Sequence, residues 1–202
     1  MTPQPDMPSI IASPAVQRAL RPRNDLREPG WTFWELRTLN MHRVVGLLNG
    51  PRQFADARDL EAEIRGVVSR NFKRSWWRGM AYGVVAEVAT ISLSPDDLKM
   101  LVDVRENEKG TLQWVILVAS EARVTLGVHT WIEGYLSPVY RATLQALAET
   151  GYQVASAQRE KDGLMKFLTA GADVNVALRS LGTKRVAFPE FRDPYIKENE
   201  TR

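Results

Sequence analysis

The most distinctive chemistry in the sequence lies in one short run, NFKRSWWR at residues 71–78, where cations alternate with aromatic side chains. Lys and Arg neutralise phosphates, while Trp and Phe can stack on unpaired bases, so this composition is typical of nucleic-acid binding. We therefore expect a polyanion, with nucleic acid as the leading choice, to contact a basic-aromatic corner. The corner is defined as Arg70, Lys73, Arg74, Trp76, Trp77 and Arg78.

The same run has two other interpretations. Trp settles at the headgroup level of an anionic membrane beside basic side chains, so a membrane surface is a second class of partner. Alternatively, Trp76 and Trp77 anchor a corner between a helix and a strand, and the cations form a solvated rim. Adjacent residues of a strand point to opposite faces, so at most one of the two indoles is then expected in the core.

The distribution of charge supports a basic surface at this position. The formal net charge is only +3, a modest value that identifies no class of partner. However, residues 65–86 include five cations and no carboxylate, whereas residues 87–109 are acidic overall. Positive charge is therefore concentrated near one junction of the chain.

A second candidate site lies in the run HTWIEGY at residues 129–135. His129 and Glu133 could act as an acid–base pair, because imidazole titrates near neutrality and a partly buried Glu can be tuned towards it. Residues four apart on a strand stand about 13 Å apart, so the pair would need a turn at Glu133 and Gly134. A small-ligand or catalytic pocket of His129, Glu133 and Tyr135 is thus an alternative, and a hydrogen-bonded structural histidine is the simpler interpretation.

Several function classes lack their sequence signature. The chain has no cysteine and only two histidines, which excludes thiol chemistry and argues against a histidine-rich metal site. Phosphate-binding glycine loops and the G-x-S-x-G nucleophile motif are missing. We therefore expect a protein that binds rather than catalyses, without a cofactor or metal. Since no apolar run reaches transmembrane length and the N-terminus does not resemble a secretory signal, we expect it to be soluble and cytoplasmic.

The chain divides into three parts by composition. Residues 1–30 hold six of the eleven prolines and predict a flexible arm. A single α+β domain is expected at 31–185, followed by a C-terminal extension at 186–202.

Two helices are expected at the start of the domain. Thr32 and Glu35 have capping-box spacing, and apolar residues follow at helical spacing as far as Leu48, so a first helix is predicted here. Asn49-Gly50-Pro51 would end it. A second amphipathic helix at about 56–70, acidic early and basic late, would complete a helical hairpin.

Beyond Trp77 the apolar period changes from about 3.6 to 2, which predicts strands. Strands are expected at 80–88, 98–104, 111–119 and 124–130, with a hairpin connection at 106–110 and a turn at 120–123. Ser94-Pro95-Asp96-Asp97 could instead begin a helix, because Pro is favoured in a first helical turn. A helix at 139–148, a fifth strand at 153–159 and a short helix at 173–181 would follow.

This order of elements predicts an α+β fold. We expect an antiparallel meander of four to five strands with helices on one face, preceded by the helical hairpin and the proline-rich arm.

An assembly role is the main alternative to nucleic-acid binding. The arm and the C-terminal extension could wrap a neighbouring subunit, with Trp76 and Trp77 as interface anchors. The open edges of an antiparallel sheet could also pair between copies. The expected partners are therefore nucleic acid, further copies of the chain, or other subunits of a complex.

Overall fold

A computed structural model describes residues 20–37, 40–72, 79–91, 93–102, 110–131, 136–162 and 164–169. Within these residues the chain forms eight strands and three helices. The strands are β1 (Arg21–Pro22), β2 (Trp31–Arg37), β3 (Met41–Gln53), β4 (Gly79–Thr90), β5 (Thr111–Ala119), β6 (Val124–His129), β7 (Gln153–Arg159) and β8 (Met165–Thr169). The helices are α1 (Ala57–Asn71), α2 (Pro95–Leu101) and α3 (Ser137–Glu149).

All eight strands belong to one mixed sheet whose spatial order follows the chain from β1 to β8. Three neighbouring pairs are parallel: β3 with β4, β4 with β5, and β6 with β7. The remaining pairs are antiparallel. Each parallel pair is joined by one helix, as such pairs require, because the chain must return to the same end of the sheet before the next strand begins.

The helices cover both faces of the sheet, and the handedness of the crossovers accounts for this. Right-handed connections are the rule between parallel strands. The crossovers through α1 and α2 connect β3, β4 and β5, which all run in the same direction, so both helices lie on the same face of the sheet. Strands β6 and β7 run the opposite way, so the same handedness places α3 on the other face. Two separate apolar cores result, one under α1 and α2 and one under α3.

Helix α1 shows why the sequence folds locally as it does. The Asp56 side chain caps the first turn by accepting hydrogen bonds from the backbone N–H groups of Arg58 and Asp59, at 2.8 and 3.1 Å. A buried stripe faces the sheet and consists of Ala57, Leu60, Ile64, Val67 and Val68. The second helix predicted from the sequence is therefore confirmed.

The predicted antiparallel meander with a helical hairpin is wrong. The first helix of the hairpin was expected from Thr32 to Leu48, but residues 31–37 and 41–53 form strands β2 and β3 instead. Thr32 does not cap a helix, because its hydroxyl accepts a hydrogen bond from the Asn49 side chain across the two strands, at 2.9 Å. β3 is apolar on both faces, since both faces of the sheet are covered, and this continuous apolar run mimics helical spacing. Gly50, with φ of +83°, lies within the strand rather than after a helix.

The strand expected at 98–104 is also wrong for its described part. Ser94 and Asp97 form a capping box, in which the Ser94 hydroxyl accepts from the Asp97 N–H and the Asp97 carboxylate accepts from the Ser94 N–H. The alternative helix start is therefore the correct one, and α2 extends to Leu101. This short helix turns what would be a hairpin into a parallel crossover, which is why the sheet is mixed.

Five other described elements match their predictions, whereas β1 and β8 were not predicted. β4, β5, β6 and β7 occupy the expected strands, and α3 occupies the expected helix after Pro138. Within the segment predicted as an arm, Leu20 is buried against the α3 face and Arg21–Pro22 forms β1. The hairpin connection before Gly110, the helix at 173–181 and the extension at 186–202 lie outside the described residues.

Candidate nucleic-acid interface

Strand direction defines two ends of the sheet. At the lower end, β3, β4 and β5 begin and β2, β6 and β7 terminate. At the upper end, β3, β4 and β5 terminate and lead into α1, α2 and the turn before β6. Helix α1 therefore runs from the upper end to the lower end, and α3 runs the opposite way.

Arg70 is the one member of the basic-aromatic corner within the described residues. It lies in the last turn of α1, with 58% of its side chain exposed. Its guanidinium donates to Glu28 Oε1 at 2.5 Å, and the Asn71 amide donates to the other oxygen of Glu28 at 2.9 Å. The hydrogen bond from Arg70 is the main reason that the pKa of Glu28 is lowered. Lys73, Arg74, Trp76, Trp77 and Arg78 lie outside the described residues.

The described residues on either side of that corner are firmly held at the lower end. Phe72 is buried, and its ring packs edge-on against Phe33 with 5.3 Å between the ring centroids. Gly79 begins β4, and its backbone N–H donates to the carbonyl of Asn40 beside the start of β3, at 3.2 Å. The chain therefore leaves α1 and enters the sheet at fixed points of the same end.

His129 lies at the same end, as the last residue of β6. Its Nδ1 is 2.9 Å from the carbonyl oxygen of Thr130, and its ring lies 5.0 Å from the ring of Tyr140, centroid to centroid. The Tyr140 hydroxyl shares a 2.7 Å hydrogen bond with Ser156, and burial raises the pKa of Tyr140. His129 is thus packed into the sheet–helix interface, whereas Glu133 and Tyr135 lie outside the described residues.

The topology brings the described members of the two sequence candidates, Arg70 and His129, to one end of the sheet. Only β5 separates β4, which begins at Gly79, from β6, which ends at His129. Two strand spacings amount to about 10 Å. The predicted meander would also have put the start of the first strand and the end of the fourth at one end of the sheet; the structure differs in placing one strand between them instead of two.

A buried charged cluster at the lower end was missed by the sequence analysis. The Glu35 carboxylate lies 2.7 Å from His42 Nε2 and 2.6 Å from a guanidinium nitrogen of Arg23, and Arg37 approaches its other oxygen at 3.3 Å. The Phe72 ring packs against the imidazole with 5.5 Å between the ring centroids. Burial lowers the pKa of His42 and outweighs the opposing effect of Glu35.

The cluster could not be predicted from a helix that ends at Leu48, because its residues meet only when they lie on paired strands. In the β2–β3 pair, Arg37 is opposite His42 and Glu35 is opposite Val44, so Glu35 and His42 are diagonal neighbours on one face. The alternation of Trp31, Phe33 and Glu35 on one face was the available signal. The cluster holds β1, β2 and β3 together; Arg37 is its exposed member, whereas Glu35 and His42 are largely shielded from solvent.

Charge is partitioned between the two ends of the sheet. We compare the described charged residues from Trp31 onward, together with Glu28, whose carboxylate binds Arg70, and leave aside Glu63 and Arg65 at the middle of α1. At the lower end the cations are Arg37, Arg43, Arg70, Arg141, Arg159, Lys161 and Lys166, and the carboxylates are Glu28, Glu35, Glu160 and Asp162. At the upper end the carboxylates are Asp56, Asp59, Glu61, Glu87, Asp96, Asp97, Glu121 and Glu149, and the cations are Arg52, Arg58, Lys99 and Arg123.

Among the described residues, this partition gives the sheet a basic lower end and an acidic upper end. The helix dipole of α1 agrees with it, since Asp59 lies in the first turn and Arg70 in the last. Summed over an end, such a distribution attracts polyanions to one side of the molecule and repels them from the other.

Two further features bear on the choice of function class. Within the described residues, no group of three or more His, Asp or Glu side chains is placed to hold a metal ion. No helix in the described part of the chain is both long and apolar enough to cross a membrane.

Fold and charge together define a three-layer α/β protein with a mixed eight-stranded sheet and one basic end. No protein-family model matches the chain, and comparison with curated proteins and with solved structures likewise gave no match. Its function must therefore be argued from its own residues.

Proposed function

We propose that this protein binds nucleic acid through the lower end of its sheet, without catalysing a reaction. The observation that carries the proposal is the partition of charge between the two ends. A binding surface for phosphates needs several cations on one side of the molecule and few carboxylates among them. The lower end meets this condition among the described residues, and it is also where the chain leads into the basic-aromatic corner.

The arrangement favours binding over catalysis at this end. The His129 ring packs on Tyr140 and its Nδ1 lies against the Thr130 carbonyl, which is the environment of a structural histidine. His42 is buried beside Glu35 and Arg23. Neither imidazole of the chain is placed as an open general base, so phosphate contacts are the chemistry that this end supports.

The test is a titration of labelled oligonucleotides, followed by fluorescence anisotropy at two salt concentrations. Variant Arg74→Glu changes the charge of the corner, and Arg58→Glu makes the same change in charge on the exposed first turn of α1 at the upper end. We expect Arg74→Glu to weaken binding and Arg58→Glu to leave it nearly unchanged.

The salt dependence provides a second readout. Reversing the charge of both Arg74 and Arg78 removes two phosphate contacts. The negative slope of log K against log salt should therefore become shallower by about 1.4 for a single strand. Equal effects of the corner variants and Arg58→Glu would mean that net charge alone matters, and the interface would be assigned wrongly. If the wild-type protein does not bind at low salt, the proposed function is excluded and assembly becomes the better explanation for the corner.

A further inference from the structure

The lower end also presents an exposed indole. Trp131 keeps 38% of its surface exposed, whereas Trp31 and Trp114 are buried and Trp34 is half-buried. Trp131 and Leu164 are the exposed large apolar side chains in the described part of the chain. Leaving an indole in water forgoes a large hydrophobic stabilisation, so an exposed Trp at a binding end is a candidate contact residue.

The backbone that presents Trp131 is well fixed. Thr130, immediately before it, is buried, and its N–H donates to the carbonyl of Gln113 at 2.9 Å. This bond extends the pairing of β6 with β5 by one residue beyond His129. Trp131 is therefore held directly at the rim of the lower end rather than on a long loop.

A row of polar and cationic residues crosses the sheet from His129, two residues before this indole. His129, Gln158 and Lys166 are successive register partners on β6, β7 and β8, so they form one row at the lower end. Lys166 is exposed, and so is Lys161 in the turn between β7 and β8. With strands about 4.8 Å apart, the row from His129 to Lys166 is about 10 Å long. A stacking platform and phosphate-binding cations thus lie within reach of a single oligonucleotide.

The geometry points to single-stranded nucleic acid as the ligand, with Trp131 stacking on an unpaired base. This inference rests on the proposed function and makes it more specific. In a duplex, neighbouring base pairs cover the faces of every base, so an exposed indole finds no face to stack on. In a single strand each base offers a π-face regardless of its identity, so the expected selectivity is for strandedness and not for sequence.

The test compares single-stranded and duplex oligonucleotides of the same sequence and length, each with wild-type protein, Trp131→Ala, Trp131→Phe and Leu164→Ala. We expect tighter binding of the single strand by the wild type. Trp131→Ala should weaken that binding by roughly 5- to 150-fold, the range for loss of one base–aromatic stack. Trp131→Phe should retain part of the affinity, and Leu164→Ala, the matched exposed apolar control, should retain all of it.

An abasic single strand separates stacking from charge. It keeps the phosphates and removes the base faces, so Trp131→Ala should bind it as the wild type does. The unfolding midpoint of each variant confirms that it is folded. If the wild type binds single strand and duplex equally and Trp131→Ala changes neither affinity, the inference is overturned while the proposed function stands. If the wild type binds neither oligonucleotide, the proposed function itself fails.

Discussion

At the scale of single residues, the contact between Arg70 and Glu28 is informative because Arg70 is both exposed and already paired. A phosphate must compete with the Glu28 carboxylate for this guanidinium. Exposed ion pairs of this kind contribute little net stability, so the competition is feasible. In the proposed interface, Arg70 is therefore a cation whose availability depends on its acidic neighbour.

This competition leads to a prediction for Glu28→Gln. The amide can still accept from Asn71 but no longer holds Arg70 by charge, so affinity for an oligonucleotide should rise by up to about fivefold. Asp25→Asn is the matched control, since Asp25 is an exposed acid of the same segment paired with Arg23 instead. Anisotropy titrations of both variants with the same oligonucleotide test this prediction. Equal gains would show that only the lost negative charge matters and that Arg70 has no particular role.

His42 gives a prediction about stability and pH. Its pKa is lowered in the folded state because burial disfavours the imidazolium, although Glu35 partly opposes this; Arg37 and Arg23 also act to lower it. A histidine with a depressed pKa contributes stability above its unfolded pKa, near 6.5, and loses that contribution as the pH falls towards and through the folded value. The unfolding free energy should therefore drop between about pH 7 and about pH 5.

His42→Gln should make that drop smaller, because glutamine can donate to Glu35 and does not titrate. Urea denaturation at both pH values measures the difference. A variant such as Gly66→Ala, which introduces no titratable group, should shift stability equally at the two pH values. An unchanged pH dependence in His42→Gln would refute the assignment of this titration to His42.

At the scale of elements, close contact between β4 and β5 restricts substitution at Gly83. The Trp114 indole on β5 lies over this glycine, and a Cβ added there would overlap the ring. Trp114 cannot move freely, because its Nε1–H donates to the Leu136 carbonyl at 3.2 Å. Gly83→Ala should therefore destabilise the protein by about 1–3 kcal/mol, the usual cost of overpacking.

The matched control for this prediction is Gly66→Ala in α1. There the added methyl would meet only the flexible guanidinium of Arg70, at 3.1 Å. Because alanine is the better helix former, this substitution should stabilise the protein by about 0.5–1 kcal/mol. Urea denaturation of both variants provides the measurement. Stabilisation by Gly83→Ala would contradict the packing described for β4 and β5.

The elements also show how far the sequence could predict the fold. α1 was predictable because its cap and its single apolar stripe are both local signals. β3 was not, since cover on both faces gives it an unbroken apolar run in which no period of 2 is visible. α2 is so short that its residues also fit a strand, and the capping box at Ser94 was the decisive signal. Interpreting α2 as a strand converted a parallel crossover into an antiparallel hairpin, and the error in topology followed.

The candidate site was only partly predictable for the same reason. The composition of the basic-aromatic corner and the run that contains His129 could be identified as chemistry without any fold. The missed helix changed the number of strands between them from two to one and left the end at which each strand begins or terminates unchanged. The Glu35–His42 cluster depends on the β2–β3 register, so it could not be predicted once these strands were interpreted as a helix.

At the scale of the whole molecule, the two ends of the sheet differ in sign of charge while sharing one rigid scaffold. Helix α1 contributes to this difference, because it runs from the upper to the lower end with Asp59 in its first turn and Arg70 in its last. A polyanion approaching the molecule is therefore oriented before it makes any contact. We propose that this orientation leads nucleic acid to bind at the lower end.

The most direct test is ultraviolet crosslinking of the wild-type protein to a bound single-stranded oligonucleotide, with the adducts located by peptide mass spectrometry. We expect adducts in the peptides that contain residues 70–78 and Trp131, and their loss at high salt. Adducts confined to the upper end, for example at the turn before β6 or the first turn of α1, would contradict it.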